Sequence, residues 1–576
     1  MFTAHLARQA IAKSLSKLTQ NSENHILQIL NTPKASLQNQ FTVPLPKLIN
    51  SSINQNDINC CQELISKFEQ NNFIEKVTAQ GPFLHFDVKR APYIQSTLSD
   101  VYQLNSQYGH HKQHTPSTVI IDYSSPNIAK PFHAGHLRST ILGNFLKRIH
   151  EANGYKTIGI NYLGDWGKQY GLLAIGFDYF GDPQALKQDP IHHLYQVYVK
   201  INELAKTDPR IDVRANDYFK KMESGDLEAL KRWKEFRDYS IESYKNIYKR
   251  LNIGFDYYSG ESETEPYIMK VYQILKDSRL VKEEKEGWVI DLERFGLGRP
   301  FVRRGMGTSL YLTRDLASIL LRYDKLGGFD KSIYVVGIEQ ELYLKQLFKI
   351  SELIYEQNPE RWPKVEFAHA NFGRVMGMST RKGTVVFLED ILDTAKEKML
   401  ENMQEGKQNK LEGIVNEEAV ADQLGVSAVI VQDMVAKRIK NYQFSWDRMT
   451  ASKGYTGVYL QYTHARLCSI ERNMNIPVNI NADTSLLKEK EAFELTLTIS
   501  QFPDIVQSSC KAMDPCILVQ YLFRLSHIAS QANSQLRVKG AESREIAEAR
   551  LLLFWAAKTT LANGLRLLGV NPLNRI

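Results

Sequence analysis

The stretch 117–162 limits what this chain can fold into more than any other. Ser117–Tyr123 is β-branched and apolar, the pattern of a buried strand. Pro126 and Pro131 forbid a helix through the middle and hold an extended loop. His133-Ala134-Gly135-His136 follows, and then Leu137, Ile141, Phe145 and Ile149 repeat at helical spacing. Tyr155–Tyr162 returns to strand character. Strand, loop, helix and strand make a βαβ unit. Its loop lies at the carboxyl end of the first strand, where nucleotides bind in open α/β sheets. The chain has no G-x-x-x-x-G-K-[ST] and no well-placed G-x-G-x-x-G. Side chains must then replace part of the usual backbone phosphate cradle. Lys130, His133 and His136 stand at a helix N-terminus, which already favours anions. Alone, two histidines three apart also fit a metal pair or a solvated surface.

Two later stretches narrow the choice. Lys331–Val336 reads as a strand, so Gln340 falls at the same carboxyl rim as His133. Tyr311 and Asp315 are four apart and share a helical face. Gly377-Met378-Ser379-Thr380-Arg381-Lys382-Gly383 sets a basic run between glycines, the composition of a mobile anion-binding loop.

At 576 residues the chain needs two to four cores. We expect an α+β domain over about 1–115. A Rossmann-like α/β domain would follow over about 116–395, with a helical insertion at about 185–300. An all-helical bundle would span about 396–576. His110–Ser117 is polar and reads as a linker. Lys and Arg exceed Asp and Glu by 72 to 64, which suits a polyanionic partner without demanding one. Ala436–Arg472 carries seven Lys/Arg against two acids, together with six Tyr, Phe and Trp, a pattern of RNA contact or of a bundle surface. Five cysteines without a C-x-x-C pair show no zinc spacing, and no metal ligands are assigned. No apolar run approaches the ~20 residues that span a bilayer. Residues 1–22 lack Asp and Glu, so an organellar transit peptide is one reading. The apolar periodicity runs on through Ile26, Leu27 and Leu30, which favours a first helix and a cytoplasmic protein.

The stretch S-S-P-N-I-A-K-P-F-H-A-G-H-L-R-S-T resembles the HIGH signature of arginyl-tRNA synthetases, which are class I enzymes. So does Asn161-Tyr162-Leu163-Gly164-Asp165-Trp166-Gly167 after the second strand. Met378–Gly383 stands in the place of the KMSKS loop, in a form similar to the eukaryotic-type branch. Leu460–Arg466 and Leu567-Leu568-Gly569-Val570 continue the likeness. These motifs come in family order across most of the chain.

The resemblance implies ATP with Mg²⁺, L-arginine and tRNA(Arg) as the ligands of a monomer with no membrane contact. Arginine would be activated to arginyl-adenylate and passed to the terminal adenosine of tRNA. Catalysis would fall to His133, His136, Lys130 and Lys382. ATP would be held by His133, Gly135, His136, Met378, Ser379, Arg381 and Lys382. Thr380 replaces the second lysine of KMSKS, and Lys130, three residues before His133, would supply the missing charge. Arginine would be held by Asp122, Ser125, Pro126, Asn127, His136, Tyr311, Asp315 and Gln340, with Asp122 and Asp315 on the guanidinium. Asp122 is shorter than the glutamate expected there. tRNA would meet Gln80, Phe83 and His85 at its D-loop corner, and Tyr459, Gln461, Tyr462 and Arg466 further along. Phe83 would offer a stacking face, unless Phe83 is core and Leu84 points outward. Two competitors stand: a class I synthetase for another amino acid, and an RNA-binding relative with a decayed site. Asp122 and Asp315 argue against glutamate, the absence of a zinc site against cysteine, and His133, His136, Lys130 and M-S-T-R-K-G against decay.

Overall fold

The computed structural model describes residues 2–30, 41–49, 62, 64–69, 71–128, 134–304, 310–377, 387–405 and 416–576. The acid-free N-terminus forms the helix Thr3–Leu18, whose Ala7, Ile11 and Leu15 are fully buried. It packs with the antiparallel strands β1 (Phe41–Pro44), β2 (Ile74–Gln80) and β3 (Phe83–Val88), ordered β1-β3-β2. Helical character over about 56–71, expected from the sequence, is seen where that range is described, at 64–67. The 110–117 stretch is no free tether. His111 donates its backbone N–H to Ala152 O (2.7 Å), and its ring Nε2 lies 2.9 Å from Pro503 O.

The central sheet is laid down in two runs. β4 (Thr118–Asp122), β5 (Lys156–Leu163) and β6 (Tyr257–Gly260) come first, stepping outward. An excursion carries the small antiparallel sheet β7 (Val281–Glu284), β8 (Gly287–Ile290) and β9 (Phe301–Arg304). The chain then returns to β4 and adds β10 (Lys331–Tyr334) and β11 (Glu366–His369) on its other side. The spatial order is β11-β10-β4-β5-β6, with every neighbouring pair parallel. Val119, Ile120 and Ile121 are wholly buried because helices cover both faces of such a sheet. The direction of winding reverses between β4 and β10. The loops leaving these two strands therefore splay apart and open a crevice at their carboxyl ends.

Helices Pro190–Thr207, Arg210–Glu223 and Leu227–Arg250 sit between β5 and β6. Asp189 and Asp226 cap the outer two by accepting from His192 N and Ala229 N. The insertion is not helical throughout: residues 257–304 hold the helix Glu265–Asp277 and also four strands, one of which, β6, belongs to the central sheet.

Beyond residue 416 the chain is a helix bundle built around Arg544–Leu567, whose residues are buried along most of their length. Pro503 lies in the first turn of the helix Phe502–Ala512 and separates it from the helix Lys490–Ser500. The L-L-G-V motif ends the central helix. Gly569, at φ +84°, donates to Arg566 O, and Val570 donates to Leu565 O, a left-handed glycine stop. A Cβ there would lie 2.5 Å from Asn144 of the helix Ala134–Ala152, so glycine also sets how closely the bundle approaches the βαβ unit. Among the described residues no helix is long and apolar enough to cross a membrane.

Candidate active site

The loop leaving β4 is held in an unusual shape. Ser124 and Ser125 both have positive φ, +71° and +47°. Such conformations cost about 1–3 kcal/mol each and persist only where surroundings fix them. Here the surroundings are the residues of H-L-R-S-T. Ser139 Oγ accepts from Ser124 N (3.0 Å) and donates to Val335 O beyond β10 (2.6 Å). Thr140 Oγ1 donates to Ser124 Oγ (2.7 Å), which also meets the Tyr248 hydroxyl (2.7 Å). Asn161 Oδ1 accepts from Ser125 N (3.1 Å). The two serines, the following helix and the two strands at the switch point are thus locked together.

The crevice they frame has a volume of about 570 Å³ and is lined by Ser125, Gly135, His136, Ser139, Glu339 and Gln340, among others. Gly135 and His136 lie in the first turn of the helix Ala134–Ala152, whose N–H groups face the carboxyl rim. Gln340 is exposed and precedes the helix Glu341–Gln357. Arg374 closes one side and pairs with Glu339. Pro126 is buried, and its carbonyl accepts from Gly164 N (3.2 Å). Asn127 bridges to Gly164. Lys130, His133, Met378, Ser379, Arg381 and Lys382 lie outside the described residues.

Four carboxyl groups gather at the rim beside this crevice, and three already have an arginine. Asp122, at the end of β4, binds Arg322 at 2.6 Å with both side chains buried, and its other oxygen accepts from Ser125 Oγ (2.9 Å). Asp165, after β5, binds Arg237 at 2.7 Å and accepts from Ser262 N and Oγ. Glu261, after β6, lies 3.2 Å from Arg314. Asp315 differs: its hydrogen bond comes from the neutral Tyr343 hydroxyl. Burial pushes the Asp315 carboxyl up to about 6 against the pull of Tyr343 and Arg322. Burial likewise pushes Glu261 up to about 7, with Asp315 and Asp165 adding to the shift against Arg314. Two carboxyl groups that resist ionisation in company recover that cost when a cation joins them.

This changes the reading of Asp122. Its carboxylate is engaged by Arg322, so it does not stand ready for a second guanidinium. Arg322, Arg314, Glu261 and Tyr343 were missed from the sequence. Arg322 follows Asp315 by seven residues on the helix Tyr311–Leu326, two turns along the same face, which was the available signal. Glu261, in the short turn that follows β6, belongs to no motif that the sequence displays. Tyr311 opens that helix and is 72 % exposed.

The RNA-facing candidates divide. Gln80 and Phe83 are exposed at the β2–β3 turn, with Leu84 buried behind them. His85 is buried on β3 opposite Thr42 and Thr78, because strand alternation breaks there into a run buried from Leu84 to Phe86, so it presents no free edge to a base. Gln461 is wholly buried too: it donates to Ser427 Oγ and Asn571 O and accepts from Leu573 N, fastening the chain's last residues to the bundle. Tyr462 and Arg466 are exposed, and Tyr459 stacks on Phe523.

A family model for the class I tRNA synthetase (R) catalytic domain matches residues 94–446. Models for the DALR anticodon binding domain and the arginyl tRNA synthetase N terminal domain match 460–576 and 5–88. The chain belongs to the arginyl-tRNA synthetases. It is 45 % identical to a probable cytoplasmic arginine–tRNA ligase of Dictyostelium discoideum, over 99 % of this chain and 100 % of that one. It is 44 % identical to the cytoplasmic enzyme of Saccharomyces cerevisiae, over 99 % and 95 %. The mitochondrial enzyme of that yeast is 41 % identical over 100 % and 90 %. The fold matches the crystal structure of the Plasmodium falciparum synthetase with a TM-score of 0.78 at 24 % identity, covering 95 % of this chain and 94 % of that one. The synthetase of Thermus thermophilus matches at 0.77 and 20 %, over the whole of both chains.

Proposed function

We propose that this synthetase reads the guanidinium of its amino acid through Asp315, with Glu261 held beside it by Arg314 and Asp122 held by Arg322. The enzyme joins L-arginine to tRNA(Arg) at the expense of ATP. The arginine carboxylate attacks the α-phosphorus and pyrophosphate leaves; a hydroxyl of the terminal ribose then attacks the adenylate carbonyl and AMP leaves. The observation that carries the assignment is Asp315, which makes no ion pair among the described residues and takes its hydrogen bond from Tyr343, beside three carboxylates that are paired with arginines. A planar guanidinium offers the donors such a carboxylate can take.

Ser125, Asn127 and Gln340 are assigned to the backbone end of the amino acid, and Tyr311 to the flank of its side chain. Gly135 and His136 are assigned to the ATP phosphates, together with His133, Met378, Ser379, Arg381 and Lys382. Transfer at phosphorus asks mainly for such positioning and charge stabilisation. Mg²⁺ would arrive on the ATP phosphates. Glu339, the carboxylate of the crevice, is engaged by Arg374, and the other lining groups suit an anion. Lys130 is assigned the charge that Thr380 lacks, so Lys130→Ala should slow adenylation more than Lys382→Ala; equal, mild losses would remove that role. Gln80, Phe83, Tyr462 and Arg466 are assigned to tRNA.

The test is ATP–pyrophosphate exchange across a panel of amino acids, with and without total tRNA. Exchange with arginine alone is the expected outcome. Exchange with another amino acid, or none in the presence of tRNA that still binds, would overturn the substrate.

A further inference from the structure

Arg138, two residues after His136, is a buried charge near the site and takes no part in the chemistry assigned above. It is 1 % exposed. Its Nη1 donates to the carbonyls of Gly373 (2.6 Å) and Lys440 (3.0 Å), and its Nε lies 3.2 Å from Asp433 Oδ1. The guanidinium also lies over the Tyr442 ring, 5.1 Å from its centre, and the Tyr442 hydroxyl donates to the same Asp433 oxygen (3.0 Å). One side chain thus joins three segments: the helix bearing His136, the stretch 372–377, and the stretch 433–444 at the start of the bundle.

The second and third segments are knitted by backbone as well. β12 (Val375–Met376) pairs in parallel with β13 (Tyr442–Gln443). Gly373 N donates to Arg438 O, Tyr442 N to Arg374 O and Phe444 N to Met376 O. Gly377, at φ +73°, ends the ladder, and a Cβ there would lie 1.9 Å from Gln443 Nε2. The chain passes from Gly377 directly into Met378–Gly383. The two sequence motifs assigned to ATP therefore leave from opposite ends of one buried arginine.

We propose that Arg138, held by Asp433 and Tyr442, is a positioning residue for adenylation, fixing the His136 helix and the root of the M-S-T-R-K-G segment relative to each other and to the bundle. The inference rests on the assignment of these motifs to ATP. Burying a guanidinium and a carboxylate contributes little to stability compared with apolar packing of the same volume. What the planar fork adds is fixed geometry. A displacement of about 1 Å between groups acting on one phosphate costs on the order of 100-fold in rate. The partners of Arg138 are Gly373, Lys440, Asp433 and Tyr442, none of them assigned to the guanidinium of the amino acid.

The full-length enzyme carries the test. Arg138→Lys, Asp433→Asn and Tyr442→Phe are compared in pyrophosphate exchange with tRNA present, at varied arginine and ATP. Active sites are counted by the adenylate burst, so that a poorly folded fraction does not count as slow chemistry. We expect kcat per active site to fall about 10- to 100-fold in the first two variants and several-fold in Tyr442→Phe, with the arginine KM changed by less than about threefold. A kcat per active site within twofold of wild type in Arg138→Lys and Asp433→Asn would overturn the proposal. If those two do not fold, Tyr442→Phe, which removes one hydroxyl, decides alone on the same criterion. Should the wild type prove to activate a different amino acid, the ratios are read with that substrate, so the two readings fail separately.

Discussion

Two buried arginine–aspartate pairs flank the same crevice, and they do different work. Arg322–Asp122 is the shorter, 2.6 Å against 3.2 Å for Arg138–Asp433. Arg322 lies between the rings of Tyr162 and Tyr334, and its carboxylate partner reaches on to Ser125. Arg138 instead spends its donors on backbone carbonyls of two distant segments. The first pair sets the charge of a pocket; the second sets the distance between chain segments. Sequence motifs show charged residues but not this division. It is decided by whether the guanidinium's remaining donors face side chains or backbone.

The comparison can be broken at the amino acid end with the largest effect. Leaving a buried ion without its partner costs about 3–5 kcal/mol. Asp315→Asn should therefore raise the arginine KM by two to three orders of magnitude while leaving kcat at saturation close to wild type. A rise of less than tenfold would remove Asp315 from the pocket. Asp433→Asn should show the opposite split.

A pH series sharpens the same contrast. Asp315 and Glu261 ionise near 6 and 7 in the free enzyme, facing Arg322, Arg314, Asp122, Asp165 and Tyr343. Both values are raised above the ordinary carboxyl range. Their contribution to the stability of the free fold is therefore complete below about pH 4 and is lost as pH rises through 6 to 7. Arginine binding needs the ionised form of Asp315, so its KM should fall several-fold between about pH 5.5 and 7.5. The rise in Tm on adding arginine should be larger at pH 7.5. A flat arginine KM over this window would contradict the assignment.

The smallest effects concern the RNA surface, where the buried-versus-exposed contrast recurs. Tyr462→Ala should raise the tRNA KM several-fold at unchanged Tm. Gln461→Ala should lower Tm by a few degrees, since it strands Leu573 N and Ser427 Oγ, and leave the tRNA KM within about twofold. The reverse pattern would return Gln461 to the RNA contacts.

Much of this was legible in the residues. The strand at 118–122, the helix after His133 and the strand at 156–163 are local patterns of period and proline, and they fold as read. The serines of S-S-P-N and the Ser-Thr of H-L-R-S-T could be seen as motifs, but their mutual clamp could not, because positive φ at two non-glycine residues leaves no mark in composition. Asp122 could be found but not its partner, which lies 200 residues away. Of the six aromatics at 436–472, Phe444 is buried, Tyr442, Trp446 and Tyr459 are half-buried, and Tyr455 and Tyr462 are exposed. Tyr442 and Phe444 are held at the junction by Asp433 and by the β12–β13 ladder, contacts that only the tertiary arrangement creates.

The most direct test of the account is a double-mutant cycle on the first pair. Arginine KM is measured for Asp122→Asn, Arg322→Gln and the double variant. If Asp122 serves Arg322, the single Asp122→Asn leaves an unpaired cation beside the guanidinium site and weakens arginine strongly. The double variant then regains at least tenfold of that loss. If Asp122 itself binds the substrate, the double variant will be no better than Asp122→Asn, and the division of labour drawn here is wrong.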